Sequence, residues 1–343
     1  MSREQQRQWL RDQAARLGFE TVGFAPVSAA PHHEHYSAWL ARGDHADMAW
    51  MASTHEVRVN PLVRMEGAKT VMALALSHAW DRPAHPGGLA GRVARYAWGR
   101  DYHNLIGKRL KKLKRALREA DIQGFGGVDT APILERDWAW RAGLGAIGKN
   151  TLCFVPGSHS WRFLAVLVLD ADVAEPVEPV GDHCKSCTRC LVACPTSAFR
   201  GPFELDARRC ISYWTIEAKE VAPEPLRAGF KDWVYGCDVC QEVCPHNHHP
   251  PDTTEPDFLP RHAWLDLPEL LASDDQALDD RFLGTPLRRP KPHGLKRNAA
   301  IVLGNLGEPE GLGPLHDHGL THSSIMVQQA SRWAIDQLTG GTV

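Results

Sequence analysis

Eight of the nine cysteines in this 343-residue chain lie between positions 184 and 244. One run reads Cys184-x2-Cys187-x2-Cys190-x3-Cys194-Pro195. A second reads Cys237-x2-Cys240-x3-Cys244-Pro245, with Cys210 between them. The first spacing is that of bacterial ferredoxins, in which three closely spaced thiolates hold one 4Fe–4S cluster and the fourth reaches the other. Two cubane clusters need eight thiolates, so the pattern predicts a protein that moves electrons singly. By that logic Cys184, Cys187, Cys190 and Cys244 hold one cluster, and Cys194, Cys210, Cys237 and Cys240 hold the other. Structural zinc would favour paired Cys-x2-Cys knuckles separated by a loop, a poor match to four cysteines within eleven residues. Disulfides would need an oxidising compartment, whereas the N-terminal residues are polar and no apolar signal segment is expected. The ninth thiol, Cys153, reads as a small buried hydrophobe.

Other groups with chemical potential are less specific. Gly143-Leu144-Gly145-Ala146-Ile147-Gly148-Lys149-Asn150 imitates both a dinucleotide fingerprint and a phosphate loop. Either mechanism needs a strand before the glycines and a helix after them. Here a helix-like stretch, 134–142, precedes the glycines and an extended one, 151–154, follows, so a tight backbone approaching some other large ligand is the better reading. Asp129, in Gly127-Val128-Asp129-Thr130, ends an apolar stretch where a turn or cap aspartate is the ordinary expectation. The histidine groups His32, His33, His35 and His246, His248, His249 read as solvated loop residues. Cations concentrate in a basic helix over 103–120 and again in Arg288, Arg289, Lys291, Lys296 and Arg297. The second group, at a loop-to-helix junction, suits phosphate contacts. The chain's formal net charge is only −2, so any affinity for a polyanion must be local.

These groups need a scaffold, and the hydrophobic pattern supplies one. A helix opens the chain and ends at Gly18. Strands are expected over 20–24, 70–76 and 163–169, and the basic helix carries Ile106, Leu110, Leu113 and Leu117 on one face. This predicts an α/β domain over 1–172. A proline- and acid-rich linker near 171–182 leads into a ferredoxin-like domain over 173–255, and a second proline-rich stretch leads to a helical tail over 256–343. In the tail, Leu295, Ala299, Val302, Leu303 and Leu306 form one apolar stripe; Met326, Ala330, Trp333 and Ala334 form another, as in a HEAT-type helix pair. No run approaches the length of a membrane helix.

With those residues in place, the whole chain resembles the epoxyqueuosine reductase family. The resemblance rests on the cysteine pattern and on Tyr96-Ala97-Trp98-Gly99-Arg100-Asp101-Tyr102-His103, Val128-Asp129-Thr130, the Ala142–Asn150 stretch, Cys210–Glu217 and Tyr235–Gln241. It implies a cytoplasmic, monomeric α+β multidomain enzyme that reduces epoxyqueuosine to queuosine at the wobble position of tRNA. It further implies cobalamin beside the two clusters, in an N-terminal domain resembling that of reductive dehalogenases. An Asp-x-His-x2-Gly motif is absent, which implies cobalamin without a protein histidine on cobalt. Asp129 matches the family's proton donor, and its pKa is expected to be raised by burial against the corrin. Arg58, Cys153, Ser212, Thr215 and Asp238 are implied to line the cobalamin pocket. Attack of cob(I)alamin on the epoxide, with electrons relayed by the clusters from an external low-potential donor, is the implied chemistry. The Arg288–Arg297 segment would grip the anticodon stem-loop. A reductive dehalogenase acting on a small organohalide is one alternative; a non-enzymatic ferredoxin-type carrier, without cobalamin, is another.

Overall fold

The three apolar strands legible in the sequence lie side by side in the computed structural model, which describes residues 1–155, 158–178, 180–248 and 250–340. His249 lies outside those residues. Thr21–Pro26 pairs with Thr70–Ser77, and Thr70–Ser77 with Arg162–Leu169; Phe24 faces Met72, and Met72 faces Leu167. Successive side chains of a strand point to opposite faces. Met72, Leu74 and Leu76 therefore meet the opening helix Arg3–Arg16 and the basic helix Tyr102–Glu119 on one side. Val71, Ala73 and Ala75 meet Trp138 and Ala139 of the helix Glu135–Arg141 on the other. The sheet is a buried middle layer between helices.

The basic helix forms for two local reasons. Asp101 caps it by accepting the His103 backbone N–H at 2.9 Å, and Ile106, Leu110, Leu113 and Leu117 recur at a spacing of three and four residues to make one buried stripe. A fourth strand, Gly124–Gly127, was not evident in the sequence. It pairs with Arg162–Leu169 at the sheet edge. Gly126 sits at φ +142°, where a Cβ would stand 2.0 Å from the Val166 carbonyl oxygen. Only glycine permits this strand to lie so close, and the strand delivers Asp129. The sheet order is 21–26, 70–77, 162–169, 124–127, with every pairing antiparallel. The expected α/β domain is thus corrected to a layered α+β one, because no crossover makes a parallel pair in this sheet.

A second sheet joins parts of the chain that the sequence assigned to different domains. Ala90–Val93 lies between Trp233–Tyr235, which is parallel to it, and Trp264–Asp266, which is antiparallel. Its core is shared with Trp98, Phe230, Leu270, Leu303 and Trp333. Residues 90–98 therefore leave the 1–172 unit and fold with the tail. The tail's two stripes pack together as the helices Lys291–Leu306 and Ile325–Thr339. Gly304 allows their closest approach, since a Cβ there would meet the Ala334 Cα at 2.8 Å. Among the described residues no helix is long and apolar enough to cross a membrane.

Candidate active site

A cavity of about 2500 Å³ opens beside the edge strand Gly124–Gly127, walled by the basic helix and the helix Glu135–Arg141. Ordinary small-molecule pockets run to about 300–1,000 Å³, so this one suits a very large ligand or two together. Asp129 stands on its wall, just past the edge strand, at φ +59°. Its carboxylate Oδ2 accepts from the Tyr102 hydroxyl at 2.8 Å and lies 3.1 Å from His103 Nε2. On the far side of that ring, His103 Nδ1 lies 2.8 Å from Asp101 Oδ1. The cap of the basic helix thus also orients the imidazole. Tyr102 is held by stacking on Phe163, with ring centroids 4.3 Å apart.

The electrostatics of this trio differ from the expectation. Burial opposes charge on His103, but the flanking Asp101 and Asp129 carboxylates outweigh it and raise the imidazole pKa to about 9. For Asp129, burial pushes upward, yet hydrogen bonds from His103 and Tyr102 bring the carboxyl below its ordinary value. In the chain by itself, then, the Asp129 hydrogen bonds outweigh burial, and near neutral pH the proton is favoured on His103. Asp129 is also well open to the cavity, with its side chain 65% exposed. A second carboxyl, Glu135, shows the opposite balance. It begins the helix Glu135–Arg141 on the same cavity wall, its Oε1 is buried with no hydrogen-bond partner, and burial raises its pKa to about 7.

Of the residues implied to line a cobalamin pocket, Arg58 and Asp129 reach the cavity. Arg58 is fixed by donating Nε to Thr54 Oγ1 at 2.8 Å and Nη1 to the Ile133 carbonyl at 3.3 Å. Cys153, Ser212, Thr215 and Asp238 are not among the residues on the wall of this cavity. Cys153 lies in a two-residue strand packed into the apolar cluster around Leu144, where burial pushes its thiol up to about 11. Ser212 bonds to the Cys210 thiol. Thr215 is fully buried and accepts the Gly236 N–H at 2.9 Å. Asp238 accepts the Arg95 N–H at 2.7 Å. The last three hydrogen-bond from within the segments around Cys210 and Cys237.

The eight cysteines gather in two adjoining neighbourhoods. Cys184, Cys187, Cys190 and Cys244 surround a space of about 150 Å³. Cys194, Cys210, Cys237 and Cys240 form the other neighbourhood. Among the described residues no three His, Cys, Asp or Glu side chains converge on one metal ion. The first four thiols ring a space instead, as a cubane requires. Backbone amides point at the sulfurs: Ala198 N–H donates to Cys194 Sγ at 3.2 Å, and Leu191, Ser212, Val239 and His246 amides serve Cys190, Cys210, Cys237 and Cys244. Such N–H···S bonds stabilise cluster thiolates. The donor set of eight thiols fits two clusters.

The basic groups converge, although not all of them. Lys111, Lys114 and Arg118 of the basic helix share the cavity rim with Arg288, Arg289 and Lys291. Arg289 pairs with Glu217 at 3.0 Å and lies over the exposed Trp50 ring at 5.4 Å. Lys296 and Arg297 are corrected as phosphate contacts. Lys296 is 4% exposed and bonds Asp275 at 2.7 Å. Arg297 is 1% exposed and donates to the Ala218, Glu220 and Trp214 carbonyls at 2.7, 2.7 and 2.6 Å.

A family described as "Epoxyqueuosine reductase QueG, DUF1730" matches residues 58–130, and a 4Fe-4S double cluster binding domain matches residues 183–247. An epoxyqueuosine reductase of Synechococcus sp. (strain CC9605) is 40% identical over 85% of this chain and 93% of its own length. One from Xanthomonas campestris is 38% identical over 96% and 95%. The chain belongs to the epoxyqueuosine reductase family. A crystal structure of an epoxyqueuosine reductase with a tRNA-Tyr epoxyqueuosine-modified stem loop superposes with a TM-score of 0.91 at 28% identity, covering 98% of this chain and 91% of that one. Membership gives the Asp129 trio a chemical setting. Tyr102 and His103 lie in the family-like stretch Tyr96–His103, but nothing in the sequence points to their contact with Asp129, because only the fold brings the start of the basic helix against the strand end there. Glu135 carried no sequence signal beyond lying six residues past Asp129.

Proposed function

We propose that this enzyme reduces epoxyqueuosine to queuosine in tRNA, inside the cavity that Asp129, Tyr102 and His103 line. The observation carrying this reading is that trio: a poised proton donor set, built on a wall spacious enough for both a corrin and a modified nucleoside. Loss of the epoxide oxygen as water consumes two electrons and two protons. Cobalamin, when bound, supplies an electron-rich cobalt, and the clusters supply electrons one at a time. Arg58 and the apolar cavity wall would hold it, and the cavity is large enough to admit it.

The chain's own contribution is proton management and positioning. His103 holds one proton at Nε2, facing Asp129 Oδ2. Passed through Asp129 or shared with the Tyr102 hydroxyl, that proton meets the opening epoxide oxygen. Glu135, whose burial raises its pKa to about 7, lies on the same wall and would furnish the second proton. Arg288, Arg289, Lys291 and the rim lysines would grip the anticodon stem-loop phosphates, while Trp50 offers a ring on which an unstacked base can lie. The 291–306 and 325–339 helices, read as a HEAT-type unit, carry part of that rim. In this reading the enzyme acts as a monomer in the cytoplasm and takes electrons from an external low-potential donor.

The test is conversion of an epoxyqueuosine-containing stem-loop by reconstituted enzyme under a strong reductant, read by mass spectrometry of the released nucleosides. Queuosine should form with wild type and fall by at least a hundredfold with Asp129→Asn. Reduction of a small organohalide, with the stem-loop untouched, would instead favour a dehalogenase-type activity.

A further inference from the structure

The glycine-rich stretch that imitates a phosphate loop serves another purpose here. Its glycines close a hairpin: Ala146–Ile147 pairs with Cys153–Phe154, and a Cβ on Gly145 would meet the Phe154 carbonyl oxygen at 2.4 Å. The turn of that hairpin pushes Lys149 and Asn150 into the cysteine loops. Lys149 is 9% exposed and borders the 150 Å³ space ringed by Cys184, Cys187, Cys190 and Cys244. Its Nζ donates to the Lys185 carbonyl and, at 3.0 Å, to the Cys187 carbonyl. Asn150, next in the chain, donates Nδ2 to the Cys240 carbonyl at 3.0 Å. One hairpin turn therefore braces both cluster sites, with a charged group at one and a neutral group at the other.

We infer that Lys149 is a positioning residue that raises the reduction potential of the cluster held by Cys184, Cys187, Cys190 and Cys244, making it the easier of the two to reduce. A 4Fe–4S cluster gains a negative charge on accepting an electron, and a nearby buried ammonium favours that charged state. The two carbonyls that hold Nζ fix the cation beside the cluster. Among the described residues no carboxylate forms an ion pair with it to cancel the effect. Each site also has a carboxylate close by: Asp182 accepts the Cys184 and Lys185 amides at 2.8 and 3.3 Å but is exposed, so water screens its charge, whereas Asp238, between Cys237 and Cys240, is buried and tied to Arg82 at 3.4 Å. The first site also lies nearer the surface, where Val192 beside Cys190 is 81% exposed and Lys185 and Arg189 face solvent. An electron from outside would thus meet the more readily reduced cluster first.

The inference rests on the two-cluster reading, and one experiment separates the two. Full-length enzyme is reconstituted anaerobically as wild type, Lys149→Gln, Lys149→Arg and Cys184→Ala, then analysed for iron and titrated potentiometrically with EPR detection. A wild type without two clusters would end the two-cluster reading itself. Cys184→Ala identifies which potential belongs to the first site. Lys149→Gln keeps neutral donors for the two carbonyls, so iron content should hold while the first-site reduction constant falls about tenfold, about 59 mV for one electron. The second site should not move, and Lys149→Arg should stay near wild type. An unchanged first-site potential in Lys149→Gln would overturn the inference. So would loss of that cluster from Lys149→Gln, which would leave Lys149 as a loop brace, or an equal fall in Lys149→Arg.

Discussion

The two chemical regions of this molecule are assembled by opposite means. The cluster sites come from a window of about sixty residues in which local spacing already fixes most partners. The proton trio is drawn from two remote segments: the helix start at Asp101–His103, and the end of an edge strand that only Gly126 allows to lie where it does. A contiguous site tolerates change in the surrounding fold, whereas a composite one depends on the sheet and the helix keeping their relative placement. The two regions should therefore fail differently.

The largest effect is expected from Cys240→Ala, which removes a thiolate from the inner site. Iron should fall by about half and turnover should vanish, while the tRNA stem-loop still binds, as gel-shift titration would show. Asp129→Asn and His103→Gln should do the reverse: full iron content, with turnover lowered by about a hundredfold or more for the first and about tenfold to a hundredfold for the second. If either loses iron, the regions are not independent and the comparison breaks. The pH profile sharpens it further. A raised pKa keeps the proton on Glu135 below about pH 7 and on His103 below about 9. Turnover should accordingly be highest on the acidic side, decline through about pH 7, and decline again near 9. Glu135→Gln should remove the lower step and leave the upper one.

The smallest effects on chemistry belong to the rim, where two arginines of one basic run separate cleanly. Arg289→Ala should raise KM for tRNA several-fold and flatten its salt dependence, with kcat and stability little changed. Arg297→Ala should leave phosphate contacts alone yet cost about 1–3 kcal/mol in stability, because the Trp214, Ala218 and Glu220 carbonyls and Asn298 Oδ1 lose their donor. Denaturant melts of the two variants would check both statements.

That pair also shows where the sequence stops being legible. The run 288–297 reads as one basic patch, but the helix Lys291–Leu306 is buried from Gly294 through Gly304. The unbroken Ala299-Ala300-Ile301-Val302-Leu303 is the signal that no face of this helix stays wet. The three apolar strands and the basic helix were readable because burial imposes a period on them. The fourth strand was not, since Gly124-Phe125-Gly126-Gly127 has almost no side chains with which to show one. Cysteine spacing reveals ligands because the cluster demands it, whereas the Tyr102–His103–Asp129 contact leaves no spacing to read. For Ser212, Thr215 and Asp238, chain proximity to Cys210 and Cys237 says nothing about which side of a loop faces the cavity.

The most direct test of the account is anaerobic reconstitution with iron, sulfide and cobalamin, followed by metal analysis of the purified protein and a single-turnover assay on an epoxyqueuosine stem-loop. The account predicts about eight irons and one retained cobalt per chain, with queuosine formed. About eight irons with no retained cobalt, and no queuosine, would contradict it and leave an electron carrier as the function of this fold.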